Sequence, residues 1–233
     1  MFPSNAVAGP TICPPDGATD TTFHGGLVVT DGNFCSLSNV TVYGPVTVRA
    51  GGVIDLEDSR VNGGVIVQPG GEIEIGISLF GGTETHSIVA GGLRLHDPID
   101  WDIETATIFG GVRIVGGVEF NPTFCGNTIW GKVSIKDVAT DETWIGDPEP
   151  EEGLINGLPC EGNRIHGSLS LSDSSGFEVE GNVVQGSVLL KASSLELNGN
   201  TIGGSLICSK GTVILPPAGP DPSGNSVRGK NTC

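Results

Sequence analysis

Residues 161–208 read EGNRIHGSLSLSDSSGFEVEGNVVQGSVLLKASSLELNGNTIGGSLIC and contain nearly the same phrase three times. The phrases are NRIHGSLSL, NVVQGSVLL and NTIGGSLIC, and their first shared glycine lies at positions 167, 186 and 204. Self-similarity at a fixed period of about 20 residues is typical of proteins built from stacked repeats. The stretch therefore predicts a solenoid, and the rest of the chain can be tested for the same period.

A five-residue motif, in which an apolar residue stands third and glycine fifth, recurs along the whole chain. Its ten copies are TTFHG, VTVYG, SRVNG, ISLFG, ATIFG, NTIWG, NRIHG, NVVQG, NTIGG and NSVRG. Their closing glycines lie at positions 25, 44, 63, 81, 110, 131, 167, 186, 204 and 229. The basal spacing is 18 to 21 residues, and the longer intervals predict insertions, two of them near residues 82–105 and 137–160.

Each repeat also has an internal pattern of alternating apolar and polar residues. Segments such as GPVTV and GSLSL follow the glycine, and a second alternation such as VIDL or EIEI follows a turn. Alternation with period two predicts half-buried strands, and no segment has the 3.6-residue period of a helix. Three short strands per repeat describe one coil of a parallel β-helix. We therefore predict an all-β protein, a single right-handed parallel β-helix of about nine or ten coils; the hand follows the usual crossover rule.

The predicted coils assign a core and three regions along the chain. Residues 1–20 are expected to cap one end, residues 21–208 to form the β-helix, and residues 209–233 to cap the other end. The alternation places the following side chains inside: Val46, Val48, Ile54, Leu56, Val65, Val67, Ile73, Ile75, Leu169, Leu171, Phe177, Val179, Val188, Leu190, Leu195 and Leu197. Five asparagines share one corner of the C-terminal coils and are expected to hydrogen-bond up a column: Asn127, Asn163, Asn182, Asn200 and Asn225.

The six cysteines indicate disulfides rather than a metal cluster. None stands in a Cys-x-x-Cys pair or at zinc-finger spacing. Their even number and local grouping favour the pairs Cys13–Cys35, Cys125–Cys160 and Cys208–Cys233; buried free thiols are the alternative. Disulfides form in oxidising compartments. The expected disulfides therefore predict a secreted or cell-surface protein. MFPSNAVAGP lacks the basic and apolar regions of a signal peptide, so we expect that the leader has been removed.

The formal net charge of −16 argues against two classes of partner. Nucleic acids and anionic membranes both require basic patches. The same charge disfavours polyanionic glycans unless a divalent cation bridges them. No run of about 18 apolar residues exists, so we expect no membrane insertion.

Acidic residues recur between the two inward positions of one strand. They are Asp55, Glu74, Glu119, Glu178 and Glu196, with Arg94 interrupting the series. Neighbouring carboxylates repel one another, and a cation such as Ca²⁺ would relieve the repulsion. The favoured alternative is a solvated acidic face that discourages sideways strand pairing.

The residue before each motif glycine forms a second column. Its members are His24, Tyr43, Asn62, Phe80, Phe109, Trp130, His166 and Gln185. The aromatic run Phe80–Phe109–Trp130 is a candidate sugar-stacking platform, because exposed apolar patches usually mark contact sites. The alternative, which we favour from the sequence, is that the neighbouring insertions cover these rings.

The two predicted insertions each carry a tryptophan among carboxylates. If both extend from one side, they form a groove whose candidate ligand-binding residues are Trp101, Trp144, Asp100, Asp102, Asp141 and Glu142, with His96 and Asp97 nearby. A suitably spaced pair of these acids could cleave a glycosidic bond. The NTD, GHG and RIK motifs of β-helical polysaccharidases are absent from the sequence.

Two resemblances to known proteins support this interpretation. The pattern GNxVxGxLxC, followed by a Pro/Gly-rich segment and a terminal GNSVRGKNTC, resembles secreted β-helix proteins of actinobacteria. The coil pattern G-x-V-x-V…GG-x-I-x-L is similar to bactofilins, which are polymer-forming β-helical scaffolds, and the resemblance covers residues 21–233. It implies a bacterial β-helix capable of self-association.

The sequence as a whole predicts a non-enzymatic extracellular or cell-surface structural or binding protein. Its expected partner is a polysaccharide or another surface protein. The alternative is a polysaccharide-binding or polysaccharide-cleaving enzyme that uses the acidic and aromatic groove.

Overall fold

The computed structural model describes residues 9–76, 85–117, 122–146, 154–155, 158–215 and 224–233. Within these residues the chain forms three parallel sheets of ten strands each and one two-stranded antiparallel hairpin. Every coil contributes one strand to each parallel sheet, and the strands stack in chain order. The protein is thus an all-β parallel solenoid of about nine turns, which confirms the predicted fold; its right-handed winding stays a prediction.

The three sheets are named A, B and C in the order in which a coil visits them. Sheet A consists of Thr11–Ile12, Leu27–Val29, Val46–Val48, Val65–Val67, Leu93–His96, Val112–Val115, Val133–Lys136, Leu169–Ser172, Val188–Lys191 and Leu206–Cys208. Sheet B consists of Ala18–Thr19, Phe34–Ser38, Val53–Glu57, Glu72–Ile75, Asp100–Glu104, Thr123–Cys125, Ala139–Ile145, Ser175–Glu180, Ser194–Asn198 and Val213–Leu215. Sheet C consists of Thr22–Phe23, Thr41–Val42, Arg60–Val61, Ile88–Val89, Thr107–Ile108, Thr128–Ile129, Arg164–Ile165, Val183–Val184, Thr201–Ile202 and Ser226–Val227. The hairpin joins Leu154–Ile155 to Leu158–Pro159.

The alternating pattern places one apolar column from each sheet inside the coil. In sheet A, Val46 pairs in register with Val65, 19 residues later, and Val65 pairs with Leu93. All the inward residues predicted from the sequence are buried. The continuous core forms because a single coil cannot bury its apolar face, whereas stacked coils bury each other's.

The register of the fourth coil differs from the prediction. Its sheet C strand is Ile88–Val89, so the motif is SIVAG at residues 87–91 rather than ISLFG at residues 77–81. The predicted insertion at 82–105 consequently contains three strands of a regular coil. The regular coil resumes at Ser87, and residues 77–84 lie outside the described residues.

The second predicted insertion and the two caps also contribute strands to the sheets. In the 137–160 segment, Ala139–Ile145 is a strand of sheet B, and its register against Ser175–Glu180 shifts between Ala139 and Thr143. Additional residues of this interval therefore lie within the strand as well as after it. At the N-terminus, Thr11–Ile12 already pairs with Leu27–Val29. At the C-terminus, Ser226–Val227 is the last strand of sheet C. The solenoid therefore extends beyond both boundaries of the predicted 21–208 domain.

Two kinds of corner residue let the chain turn between sheets. At the two corners that follow sheets A and B, residues such as Asp97, Asp137 and Asn39 have positive φ values of 43°, 57° and 53°. Asn and Asp tolerate this left-handed conformation better than most residues. At the corner from sheet C to sheet A, the motif glycine is required by close approach: a Cβ on Gly131 would lie 2.5 Å from the carbonyl oxygen of Gly110.

The asparagine column is confirmed. The side-chain amide of each asparagine donates to the Oδ1 of the next, at 2.9 Å from Asn127 to Asn163 and from Asn163 to Asn182. The same bond measures 3.0 Å from Asn182 to Asn200 and 2.8 Å from Asn200 to Asn225. Each Oδ1 also accepts the backbone N–H of the preceding coil, as in the 3.0 Å bond from the Asn182 N–H to Asn200. The column thus satisfies buried backbone groups that the turn leaves unpaired.

All three predicted disulfides are present. The Cα–Cα distances are 6.0 Å for Cys13–Cys35, 5.0 Å for Cys125–Cys160 and 5.0 Å for Cys208–Cys233. Three disulfides indicate an oxidising environment, as in the extracellular space. The described residues contain no helix long and apolar enough to cross a membrane.

Candidate functional site

Three aromatic rings form a row on the outer face of sheet C, which we call the aromatic strip: Phe109, Trp130 and His166. Phe109 and Trp130 are exposed and His166 is half-buried. Each side chain follows a two-residue strand and precedes the motif glycine, so successive coils place the three rings next to one another. The Trp130 and His166 rings are nearly parallel with centroids 3.9 Å apart, and Phe109 lies 6.3 Å from Trp130. Phe109 is 51% exposed and Trp130 is 54% exposed.

The exposure of the strip decides between the two interpretations made from the sequence. The favoured one, that insertions cover these rings, is wrong for Phe109 and Trp130, because each keeps about half of its surface in solvent. Phe80 lies outside the described residues, and Ala90 occupies its expected place next to Phe109. Ala90 is too small to cover the neighbouring Phe109 ring. A second, shorter stack of His24 and Tyr43, 5.6 Å apart, lies at the N-terminal end of the same column.

Trp101 is a core residue and does not line a groove. Its side chain has no solvent exposure and packs edge-on against Phe124, with ring centroids 6.4 Å apart. The expectation that Trp101 contacts a ligand is therefore wrong. The reason is the register shift of the fourth coil: DWDIE is a regular strand of sheet B in which Trp101 and Ile103 point inward.

Carboxylates concentrate on the outer face of sheet B, but their column differs from the predicted one. The residues in register are Ser36, Asp55, Glu74, Asp102, Thr123, Trp144, Glu178, Glu196 and Leu215. Glu119 lies outside the described residues, and Arg94 belongs to sheet A rather than to this column. Thr123 and Trp144 separate the acids into two groups, so the column is not a continuous carboxylate ladder.

The acidic residues on the N-terminal side of Thr123 have pKa values that burial raises toward neutrality. Burial, with a smaller contribution from the charge of Glu57, raises the pKa of Asp55 from 3.8 to about 7, against the opposing effect of a 3.1 Å hydrogen bond from Ser36. Burial also raises the pKa of Glu74 to about 7, with an added contribution from the charge of Asp55. The pKa of Asp102 is raised to about 6 by burial, against hydrogen bonds from Thr123.

The remaining acids of this group shift in the same direction. Burial raises the pKa values of Asp100 and Glu72, and the charge of Asp100 adds to the effect on Glu72. One oxygen of Asp55 and one of Glu74 are buried without a hydrogen-bond partner. In the part of the chain that the structure describes, no three His, Cys, Asp or Glu side chains converge as metal ligands.

A shallow cleft of about 380 Å³ lies on sheet B in the C-terminal half, which we call the acidic cleft. Four carboxylates line it: Asp141, Glu142, Glu178 and Glu196. Asp141 and Glu142 were predicted to share a groove with Asp100 and Asp102. The structure does not bring these pairs together, because Thr123–Cys125 lies between their strands in sheet B. Trp144 is half-buried in the same strand as Asp141 and Glu142.

The sequence interpretation overlooked a group of basic side chains on the outer face of sheet A. Arg94, Arg113 and Lys132 line a cavity of about 280 Å³, which we call the basic pocket. Arg94 had been considered only as an interruption of the acidic column. The sequence did indicate that two of these residues are neighbours, because Arg94 and Arg113 are 19 residues apart, which is one coil. In the structure they pair in register.

Comparisons of this chain with protein-family models, with curated proteins and with solved structures found no match.

Proposed function

We propose that the protein is a non-enzymatic extracellular binding rod that contacts a glycan through the aromatic strip. The observation that carries this proposal is the exposure of Phe109 and Trp130 on adjacent coils. Large aromatic side chains are normally buried, and those left in solvent as a contiguous row usually mark a contact site. Planar rings held in a fixed row suit the apolar faces of sugar rings.

The scaffold behind the strip is closely packed and hydrogen-bonded, which favours binding by a preformed surface. Phe109 and Trp130 each follow a residue of the buried core, Ile108 and Ile129. The asparagine column runs along the corner at the start of the same sheet C strands. A surface fixed in this way loses little conformational entropy when a ligand binds.

Removing the Trp130 indole is expected to weaken retention on an insoluble glycan by roughly tenfold or more, the equivalent of about 1.4 kcal/mol. The measurement is co-sedimentation of the protein with cellulose, chitin, xylan and peptidoglycan. Trp130→Ala should fold normally, because the ring is half-exposed. The matched control is Tyr43→Ala, which removes an equally exposed ring, 57% in solvent, from the other end of the same column.

Equal retention of the wild type and Trp130→Ala would remove the aromatic strip as the binding surface. Equal weakening by Trp130→Ala and Tyr43→Ala would indicate nonspecific adsorption. If the wild type is retained on none of the four glycans and on no anionic glycan, the proposal of a glycan-binding rod is overturned and a purely structural role is favoured.

Polysaccharide cleavage is the second candidate function, and the acidic cleft is the observation that favours it. Its four carboxylates include Glu178 and Glu196, which are neighbours on adjacent coils. Glycosidases use two carboxyl groups, one as acid and the other as base or nucleophile. New reducing ends released from a retained glycan by the wild type, and lost in Glu178→Gln, would favour this alternative.

A further inference from the structure

The basic pocket lies around the corner from the aromatic strip. The chain passes from Phe109 through Gly110 to Gly111, and from Trp130 through Gly131 to Lys132. Two residues span at most about 7 Å. Gly111 and Lys132 line the basic pocket, so one ligand that crosses this corner can contact both surfaces.

Among the residues that the structure describes, no ion pair explains the position of the basic side chains of the pocket. Arg94 and Arg113 are exposed and directly paired on adjacent strands, roughly 4.8 Å apart along the rod. Like charges placed opposite each other destabilise a sheet. Among the described residues, the ion pairs are His96–Asp97 and Lys136–Asp137, and neither involves Arg94, Arg113 or Lys132.

The concentration of positive charge here contrasts with the rest of the chain. The protein has 11 Lys and Arg residues against 27 Asp and Glu, yet three of the 11 line one cavity. A fourth, Lys136, is close enough for Arg113 to lower its pKa, although a hydrogen bond to Asp137 raises that pKa by more. An anionic ligand would relieve the repulsion among these cations.

The shape of the pocket also suits an oxyanion. Gly91 and Gly111 line it without side chains, which leaves space beside the guanidinium groups. Gly111 cannot be replaced by a larger residue without strain, since a Cβ there would lie 2.9 Å from the Lys132 carbonyl oxygen. Ser134 pairs in register with Arg113 and adds a hydroxyl. Guanidinium groups bind carboxylate and similar planar or tetrahedral oxyanions through two parallel hydrogen bonds.

We propose that the basic pocket binds the oxyanion group, carboxylate or sulfate, of an anionic polysaccharide whose sugar rings contact the aromatic strip. This inference rests on the proposed glycan-binding function and names its ligand class. The carboxylates of sheet B lie on another face of the rod. At physiological ionic strength, salt screens the repulsion between a ligand on sheets A and C and any carboxylate more than about 8 Å away.

The test measures binding of soluble polygalacturonate, dextran sulfate and neutral dextran by isothermal titration calorimetry at physiological salt. EDTA is included so that no divalent cation can bridge the acidic face to the polyanion. We expect the wild type to bind at least one of the two anionic polymers. Its affinity for neutral dextran should be at least about tenfold lower. The two anionic arms distinguish a carboxylate from a sulfate as the recognised group.

The decisive variant is Arg94→Gln/Arg113→Gln, which should weaken binding of the preferred anionic polymer by about 30-fold, as expected for the loss of charge-assisted hydrogen bonds. The control is Arg49→Gln/Arg228→Gln, which changes the net charge equally at two exposed positions elsewhere and should bind as the wild type does. Because all four side chains are exposed, both variants should fold, and Arg94→Gln/Arg113→Gln should melt no lower than the wild type because it removes the repulsion between the paired charges.

Three results would overturn the inference. The first is undiminished anionic binding by Arg94→Gln/Arg113→Gln, and the second is equal loss in the control variant. The third is that the wild type binds neither anionic polymer. If the wild type is still retained on a neutral glycan through Trp130, only this inference fails and the proposed function stands. Sedimentation that shows a dimer abolished by Arg94→Gln/Arg113→Gln, without glycan binding, would instead assign the pocket to the acidic face of a second copy.

Discussion

Asn182→Ala is expected to lower the free energy of unfolding by about 3–5 kcal/mol, because it breaks the asparagine column at its centre. The Asn182 amide donates to the carbonyl oxygens of Ile145 and Glu180 at 2.6 and 2.9 Å, and to Asn200. Its Oδ1 accepts both the backbone and the side-chain N–H of Asn163, each at 2.9 Å. Alanine leaves several of these groups buried and unsatisfied, at about 1–3 kcal/mol each.

The measurement is urea unfolding followed by the fluorescence of the three tryptophans. Asn225→Ala is the matched control, because Asn225 stands at the end of the column, is only partly buried and serves one neighbouring coil. It should be destabilised by roughly 1 kcal/mol. A loss for Asn182→Ala no larger than that for Asn225→Ala would show that the column contributes little to stability.

The protein should be more stable at pH 5 than at pH 8, by an amount on the order of 4 kcal/mol. Burial raises the pKa values of Asp55 and Glu74 to about 7 and that of Asp102 to about 6. A carboxyl whose pKa is higher in the folded state stabilises the fold while it is protonated. This contribution is complete below about pH 4 and is lost as the pH rises through 6 to 7. Because Asp55 and Glu74 repel each other, their effects are not additive.

Asp55→Asn tests the origin of this pH dependence. The side chain is fully buried and one of its oxygens has no partner, so a neutral amide of the same size should raise stability at pH 8. The difference between pH 5 and pH 8 should fall by about half, measured as urea unfolding at both values. Asp141→Asn, at an exposed position, is the control and should keep the wild-type pH dependence. Stability that rises from pH 5 to pH 8 would contradict the assignment.

The sequence by itself determined the fold, the core and the covalent links. Alternation with period two places Val46 and Val48 on the same side of a strand wherever that strand lies. From Gly44 to Gly229, a Cβ on the glycine that closes each coil's motif would lie under 3 Å from backbone atoms of a neighbouring coil. The asparagine column follows from the same period, because equivalent residues of successive coils must stack. The disulfides follow as well, since Cys13 and Cys35 are 22 residues apart, close to one coil.

The local sequence pattern was not sufficient to determine the register of the fourth coil. ISLFG and SIVAG, ten residues apart, fit the same motif, and only pairing of Ile88–Val89 with the neighbouring strands of sheet C selects the second. That choice makes Trp101 a core residue, places Ala90 next to Phe109, and assigns Arg94 to sheet A. Within one coil, a shift of register moves each side chain to another position on the rod.

The tertiary structure alone decided which surfaces are exposed and which charges meet. Burial of Asp55 and exposure of Trp130 both depend on what packs outside the coil, which the alternation does not encode. The net charge of −16 argued against anionic partners, but net charge is a sum over the chain, whereas a ligand responds to the potential within a Debye length of its site. Folding places Arg94, Arg113 and Lys132 around one cavity on a different sheet from the acids of sheet B, and this separation of charge can be read only in three dimensions.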